Sequence, residues 1–383
     1  MTHSNPLTRR DFLAAGAAAL ALSSSIKAAD PLTTFGPKKP LRIGVVSASI
    51  GGVPQKTNGH TYHFAHGFHP EMNLVAIEKH LSKGPVDLFK SHFRNPREDF
   101  AKQPFDNTRI SCYYDADLKS AQSFADCFPG VQVAQTLDEL VANSDAIWMG
   151  DASGRGEDHY DLVAPGIEKG LPTFCDKPIG GTVKETRRIL ELAKKHNTPL
   201  MSSSLFRHQW GTEEALRMKA SGEFGSLQYV VASQGGGWTL PSWFIYGQHP
   251  TWMCMTLCGP GVDAVSMYAR ENTCHALLTW KDRMPAEVWY GRPDVTSTYC
   301  HTSAHFAKKT HQWTPAIDGN YWFGHHYQIF RMSQVFLKMV ETRIEPVPHQ
   351  EILEVTAIIH AAAKSLQERG RLVELAEVLE ANG

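Results

Sequence analysis

Short, mostly apolar runs recur along the first half of this chain and constrain its fold more than any other feature. Each run has three to six residues and is followed by a helical or polar segment. Runs of this length and composition are typical of parallel strands that are buried on both faces of a sheet. The runs occupy residues 41–46, 110–114, 131–133, 146–149, 172–175 and 199–201.

Amphipathic helices are predicted between these strands. Segments 118–127, 137–142 and 158–169 carry apolar residues at helical spacing. Gly170 follows the third segment, where a glycine commonly ends a helix. Thr182, with Glu185 three residues later, forms a capping-box pattern at the start of a further helix. Strands that alternate with helices predict right-handed crossovers and a doubly wound parallel sheet.

The pattern changes after about residue 220. Longer strands without regular crossovers are predicted at 228–233, 276–280, 286–290 and 297–301, and helices at 321–342 and 349–369. The predicted fold class is therefore α/β, with an N-terminal Rossmann doubly wound parallel sheet and a C-terminal α+β domain with a mostly antiparallel sheet. The expected domains are residues 40–205 and 206–370.

Residues 1–29 have the features of an export signal rather than of a folded element. Arg9 and Arg10 precede a short apolar run, and small residues lead to Ala28 and Ala29. The arginine pair resembles the twin-arginine signal, which predicts a periplasmic or secreted protein. The alternative is a chance arginine pair before a buried helix.

The charge balance argues against nucleic acid as the main partner. Lys and Arg total 38 and Asp and Glu total 39, so there is no basic surplus. No apolar run approaches the ~20 residues that a membrane-spanning helix needs. Seven scattered cysteines are too few for a disulfide scaffold.

A dinucleotide site is predicted at the carboxyl ends of the first two strands. The turn after the first strand holds Ser47, Ser49 and Gly52 where a glycine-rich phosphate loop is expected, with serines replacing the first two glycines. Asp115 follows the second strand, where a carboxylate can accept hydrogen bonds from both ribose hydroxyls; this favours NAD, with NADP as the alternative cofactor. A helix cap is the competing role for this aspartate, and Asp117 is an equal candidate for it.

Residues 70–108 are interpreted as an insertion between the first two strands, since their separation is much longer than usual. Four histidines, His60, His63, His66 and His69, precede it at intervals of three. Metal ligands on a helix favour pairs four residues apart, so no metal site is predicted. We expect His60 and His63 at the helix start beside the pyrophosphate, and the other two at the surface or in a substrate pocket.

One stretch, residues 170–179, resembles the Gfo/Idh/MocA family (glucose–fructose oxidoreductase, inositol dehydrogenase). There a strand ends in Glu-Lys-Pro, for which this chain has Asp176, Lys177 and Pro178. The resemblance covers about residues 40–370. Its other matching features are Asp115 before a helix, the segments 136–140 and 144–147, His159 opening a helix, and the joint at 221–225.

The resemblance implies a catalytic role for Lys177, whose ammonium can hydrogen-bond a substrate hydroxyl and stabilise oxyanion charge. Asp176 is expected to pair with Lys177 or to cap the turn, and His159 and Lys177 are expected to contact the cofactor. Dehydrogenases of the family carry Asp-x-x-x-His in the second domain. The match here has His249 as candidate base but Ile245 at the aspartate position; a structural histidine is the alternative.

The predicted function is that of an exported NAD(P)-dependent oxidoreductase acting on a sugar, sugar acid or cyclitol by hydride transfer. Export favours a tightly bound NAD, since the nucleotide must be acquired before translocation. Two alternatives remain: a redox-neutral enzyme that cleaves glycosides with a resident NAD, and a ligand-binding protein without catalysis. The family's second domain often mediates assembly, so a homo-oligomer is expected.

Overall fold

The computed structural model describes residues 40–47, 59–94, 104–151, 154–291, 300–317, 319 and 321–381. The predicted signal segment, Ser49 and Gly52 lie outside the described residues. None of the described helices is both long and apolar enough to cross a membrane.

The N-terminal sheet has six strands in the order β3-β2-β1-β4-β5-β6, and all of its strand pairs are parallel. Its central strands are buried on both faces, as their apolar sequences predict. The order reverses direction between β1 and β4, which is the place where doubly wound sheets bind ligands. The strands are β1 Leu41–Val46, β2 Thr108–Tyr114, β3 Gln132–Val133, β4 Ala146–Met149, β5 Thr173–Cys175 and β6 Leu200–Met201.

The helices of this domain begin and end largely where the sequence predicts. Gly170 adopts φ +80 after its helix, which confirms the predicted glycine end. Thr182 caps its helix by accepting a hydrogen bond from the Glu185 backbone N–H at 3.1 Å, as predicted. These helices are α1 Gly59–Phe68, α2 Leu74–His80, α3 Lys83–Arg94, α4 Leu118–Cys127, α5 Leu137–Ala142, α6 His159–Glu168 and α7 Val183–His196.

The second domain is built on a seven-stranded sheet in the order β12-β11-β7-β10-β9-β8-β13. Only β7 and β10 pair in parallel, so the sheet is mostly antiparallel, as predicted. Its strands are β7 Leu227–Gly235, β8 Ala264–Arg270, β9 Thr273–Thr279, β10 Ala286–Gly291, β11 His301–Phe306, β12 Lys309–Trp313 and β13 Val373–Glu374. Its helices are α8 Trp210–Ser221, α9 Leu240–Tyr246, α10 Gln248–Cys258, α11 Tyr321–Thr342, α12 His349–Gln367 and α13 Leu375–Glu380.

The two sheets are joined by helix packing rather than by a bare linker. Helix α11 contacts the helical insertion, where His326 Nε2 lies 2.9 Å from the carbonyl oxygen of Leu88. The rings of Phe105 and Phe330 stack at 5.4 Å. This packing brings residues of the second domain against the carboxyl edge of the first sheet.

Candidate functional site

Lys177 lies at the carboxyl end of β5, in a turn with a cis Lys177–Pro178 peptide bond. The side chain is buried, with 2% of its surface exposed. Its Nζ donates to the Ile245 carbonyl oxygen at 3.4 Å and lies 5.5 Å from the centre of the Tyr246 ring. Burial lowers the pKa of Lys177, while the charges of Asp176 and Asp151 oppose that shift. The amine is therefore held inside the protein between the two domains.

Asp176 joins this turn to the first helix. One of its carboxylate oxygens accepts from the Lys177 backbone N–H at 2.7 Å, so it caps the turn as one alternative predicted. The other oxygen lies 2.5 Å from His60 Nδ1. His60 stands in the first turn of α1, close to the end of β4, and its carbonyl oxygen accepts from Trp148 Nε1 at 3.0 Å. The structure thus places His60 beside Asp176, and its contact with the pyrophosphate stays a prediction.

His249 lies in the first turn of α10 and is buried. Its Nδ1 lies 2.6 Å from the hydroxyl oxygen of Ser204, just after β6. The Phe206 ring packs edge-on against the imidazole, with centroids 4.7 Å apart. Burial, followed by the charge of Lys177, lowers the pKa of His249 well below its usual range. His249 and Lys177 therefore lie within electrostatic reach of each other.

The partner of His249 differs from the one that the sequence pattern suggests. Ile245 stands where the family pattern has an aspartate. Its backbone carbonyl oxygen accepts a hydrogen bond from Lys177 Nζ. Ser204 occupies the hydrogen-bonding position next to the imidazole instead. Sequence reasoning missed this residue, although three consecutive serines after a short buried strand were a signal that a side chain there points to a polar site.

Asp115, the predicted ribose-binding residue, lies at the end of β2. Its Oδ1 accepts from the Asp117 backbone N–H at 2.8 Å, and its buried Oδ2 has no hydrogen-bond partner among the described residues. Burial raises the pKa of Asp115. Asp117 is the residue that caps α4, so the cap role falls to Asp117, and the ribose contact of Asp115 stays a prediction. A buried, unpartnered carboxylate oxygen at this edge fits the ribose of a dinucleotide.

Ser47 is fully buried at the end of β1, and its backbone N–H donates to the Tyr114 carbonyl oxygen at 2.9 Å. Its side chain also hydrogen-bonds Tyr113, whose pKa burial raises strongly. Ser47 therefore fixes the end of β1 against the end of β2. Its contact with a phosphate remains a prediction.

His159 opens α6 beside the same edge and is fully buried. Its Nδ1 lies 3.9 Å from Cys175 Sγ. Burial lowers the pKa of His159, and the charges of Asp158 and Asp176 oppose the shift. The structure thus brings His60, Lys177, Asp176 and His159 to one edge of the parallel sheet.

The histidines after His60 do not lie at the surface, which corrects part of the expectation for this segment. His63 packs edge-on against His325 at 5.7 Å, and His66 against His326 at 6.0 Å. His66 and His69 are buried, and His69 Nε2 lies 2.9 Å from the Pro129 carbonyl oxygen. Because α11 covers α1, the rings of His63 and His66 are buried between the two domains. His69 is buried within the first domain instead, against Phe128 and Pro129.

Comparison with known proteins agrees with this geometry. Residues 93–204 match the Gfo/Idh/MocA family, described as an oxidoreductase family with an NAD-binding Rossmann fold. Inositol 2-dehydrogenase of Corynebacterium glutamicum is 29% identical over 119 residues, which are 31% of this chain and 35% of that protein. Myo-inositol dehydrogenase Hyg17 of Streptomyces leeuwenhoekii is 27% identical over 116 residues, 30% of this chain and 35% of that protein. The matched region thus spans about a third of these relatives.

Solved structures share the fold over most of the chain. A probable dehydrogenase from Thermotoga maritima superposes with a TM-score of 0.67 at 16% identity, covering 88% of this chain and 100% of that one. A scyllo-inositol dehydrogenase from Lactobacillus casei, with bound NAD(H) and scyllo-inositol, gives a TM-score of 0.61 at 12% identity, with coverage of 88% and 100%. At these identities the likeness establishes the architecture.

Proposed function

Since residues 93–204 match the Gfo/Idh/MocA oxidoreductase family, we propose that the protein is an NAD-dependent oxidoreductase of this family that acts on a CH–OH group of a sugar, sugar acid or cyclitol. The observation that carries the proposal is the convergence of two buried groups, Lys177 and His249, at the carboxyl edge of the parallel sheet. The curated relatives that match include inositol dehydrogenases, which supports a polyol as substrate.

Bound NAD would supply the hydride acceptor, with Asp115 on its ribose and His60 and His159 near the sheet edge. The residues of the chain handle the substrate proton. Lys177 donates a hydrogen bond to the reacting oxygen and stabilises negative charge there. His249 accepts the hydroxyl proton on Nε2, which requires the tautomer in which Nδ1–H donates to Ser204. The lowered pKa of His249 keeps its imidazole neutral before that transfer.

The decisive experiment combines nucleotide analysis with one substitution. Mass spectrometry of small molecules released from the denatured protein should detect NAD, and reduction of added NAD should be followed with inositols, sugars and sugar acids. Lys177→Ala should retain NAD binding but lose about a hundredfold or more in turnover. Lys194→Ala, at an exposed position of α7, is the matched control. A protein that neither carries nor binds NAD, or a Lys177→Ala variant with full activity, would overturn the proposal.

A redox-neutral glycoside-cleaving reaction with a resident NAD is the second candidate. The observation in its favour is the arginine pair Arg9-Arg10 before an apolar run, because an exported enzyme has no evident supply of fresh nucleotide. Glycoside cleavage without net reduction of added NAD would identify this reaction, whereas stoichiometric NADH formation would exclude it.

We also propose export by the twin-arginine route and a periplasmic or secreted location. Cell fractionation of the wild type and of an Arg9→Lys, Arg10→Lys variant tests this directly. The variant should accumulate inside the cell. An unchanged distribution would reject the route.

A homo-oligomer is proposed from the outer face of the second sheet. Aromatic and apolar side chains there are half-buried, and the Trp289 ring stacks on His275 at 4.4 Å. Pairing of two such faces would remove them from water. Light scattering after size-exclusion chromatography should give a molar mass for the wild type that is a multiple of 42.6 kDa. The Trp289→Glu variant should have a lower molar mass. A monomeric wild type would contradict the assembly.

A further inference from the structure

Asp151, Asp158 and His159 form a compact cluster at the end of β4 and the start of α6. Each offers one potential ligand atom, a carboxylate oxygen or a ring nitrogen, and these atoms all lie within 4.8 Å of one another. Asp151 and His159 are fully buried and Asp158 is partly buried. This is the one group of three or more such residues found in the described part of the chain.

The imidazole of His159 points to a ligand independently of the carboxylates. Its Nε2 is buried and has no hydrogen-bond partner among the described residues, and the same holds for Oδ1 of Asp158. Its Nδ1 faces Cys175 Sγ at 3.9 Å, and the ring also hydrogen-bonds the backbone of Ile179. Metal-binding histidines are commonly held in this way, with one nitrogen oriented by a protein acceptor and the other left for the ion.

Asp151 is a fully buried carboxylate, and a buried charge is costly unless a cation compensates it. The ammonium of Lys177 supplies part of the compensating positive charge, since the charge of Asp151 raises the pKa of Lys177. Lys177 is itself almost fully buried, however. Tetrahedral ligands around a zinc ion lie about 3.3 Å apart, so the three ligand atoms, which lie within 4.8 Å of one another, need to close by up to about 1.5 Å, which side-chain rotation can supply.

We propose that Asp151, Asp158 and His159 bind a divalent cation. Two oxygens and one imidazole nitrogen suit Mn²⁺ or Zn²⁺, because carboxylates favour Mn²⁺ and imidazole favours Zn²⁺. Three protein ligands leave coordination positions open for water or for two oxygens of a ligand. The spacing of histidines along one helix predicted no metal site, whereas these three ligands come from a strand end and a separate helix start.

The location of the site suggests its use, and this step rests on the proposed function. The cluster shares the sheet edge with Lys177 and Asp176, and the charge of Asp176 also acts on His159. A bound cation there would hold a substrate with two adjacent oxygens, such as a vicinal diol or a 2-hydroxy acid, beside the Lys177 amine. The substrate class is accordingly narrowed to chelating polyols and hydroxy acids.

The test is a titration of the metal-free full-length protein with Mn²⁺, followed by the electron paramagnetic resonance signal of free Mn²⁺. The wild type should remove one equivalent of the signal. Asp158→Asn and His159→Gln should each weaken binding by about tenfold or more. Asp161→Asn, at an exposed position one turn along the same helix, should bind as the wild type does.

Circular dichroism without metal establishes that each variant is folded. Asp158→Asn is the more conservative change, because Asp158 is only partly buried. A wild type that leaves the Mn²⁺ signal at full amplitude, or equal binding by wild type, Asp158→Asn and His159→Gln, would overturn the site. NAD binding measured separately by calorimetry distinguishes this outcome from failure of the proposed function. A Zn²⁺ titration read by thermal shift repeats the comparison with the second ion.

Discussion

At the scale of single residues, the Ser204 hydroxyl is the contact that fixes the candidate base. Its oxygen accepts from the Phe206 N–H at 3.1 Å and lies 2.6 Å from His249 Nδ1. Ser204→Ala removes that partner and should lower kcat about tenfold to a hundredfold with little change in KM, since the ring loses its orientation. Steady-state kinetics on the identified substrate measures the effect.

Two further variants separate positioning from simple loss of stability. Ser204→Thr keeps a hydroxyl and should restore most of the activity, whereas Ser203→Ala removes a buried neighbouring hydroxyl that has no partner among the described residues and should leave kcat unchanged. The hydrogen bond to Ser204 is stronger for the charged imidazole, so its loss should shift the acid limb of kcat/KM to lower pH. An unshifted pH profile would show that Ser204 does not orient His249.

At the scale of secondary-structure elements, the close approach of α1 to β4 sets the position of His60. A Cβ atom added to Gly150 would lie 2.6 Å from the His60 carbonyl oxygen. Gly150→Ala should therefore push the helix outward, reduce the free energy of unfolding by about 1–3 kcal/mol and weaken NAD binding. Urea unfolding and calorimetry measure both effects.

Gly237→Ala is the matched control for this prediction. A Cβ at Gly237 would meet no atom within 4 Å, so its unfolding free energy should stay within about 0.5 kcal/mol of the wild type. Equal stability of both variants would mean that the helix can shift without loss.

The elements that the sequence predicted well are those whose pattern is local. All six strands of the first sheet, the helices α4 to α7 and the two long helices α11 and α12 follow from apolar periodicity and caps. The predicted strand at 297–301 shares only His301 with β11, which runs to Phe306; Cys300 lies before the strand, and residues 292–299 lie outside the described part. Strands β8 and β12 and the helices of the insertion were missed, because their side chains are half-exposed or mixed and their pairing depends on distant segments. Strand β13 and helices α8, α9, α10 and α13 were not predicted either.

The site was less predictable than the fold for the same reason. Lys177 and Asp176 are adjacent in the sequence, so a motif can reveal them. Ser204 is 45 residues from His249, and His60 is 116 residues from Asp176. Only the doubly wound topology brings those pairs together, and no spacing along the chain encodes them.

At the scale of the whole molecule, burial of neutral histidines couples stability to pH. Burial, followed by the charges of Arg207 and Arg331, lowers the pKa of His208 to about 3. Burial, followed by the charge of His60, lowers the pKa of His325 to about 3. In the unfolded chain histidine titrates near pH ~6.5. As the pH falls below that value, the unfolded chain binds protons that the native state does not, and the native state loses stability.

Each histidine whose pKa is lowered this far should reduce the free energy of unfolding by about 2 kcal/mol when the pH falls from about 7.5 to about 5. Burial raises the pKa of Asp115 and Glu354. Their effect on stability has the opposite sign: these groups bind protons in the native state at higher pH than in the unfolded chain, so they stabilise the native state as the pH falls. Urea unfolding at both pH values measures the net loss. His208→Gln removes one titrating group, so its pH-dependent loss should be smaller than that of the wild type by up to about 2 kcal/mol. If the two proteins lose the same stability between these pH values, His208 is protonated in the native state and the packing around it is more open to water than the structure indicates.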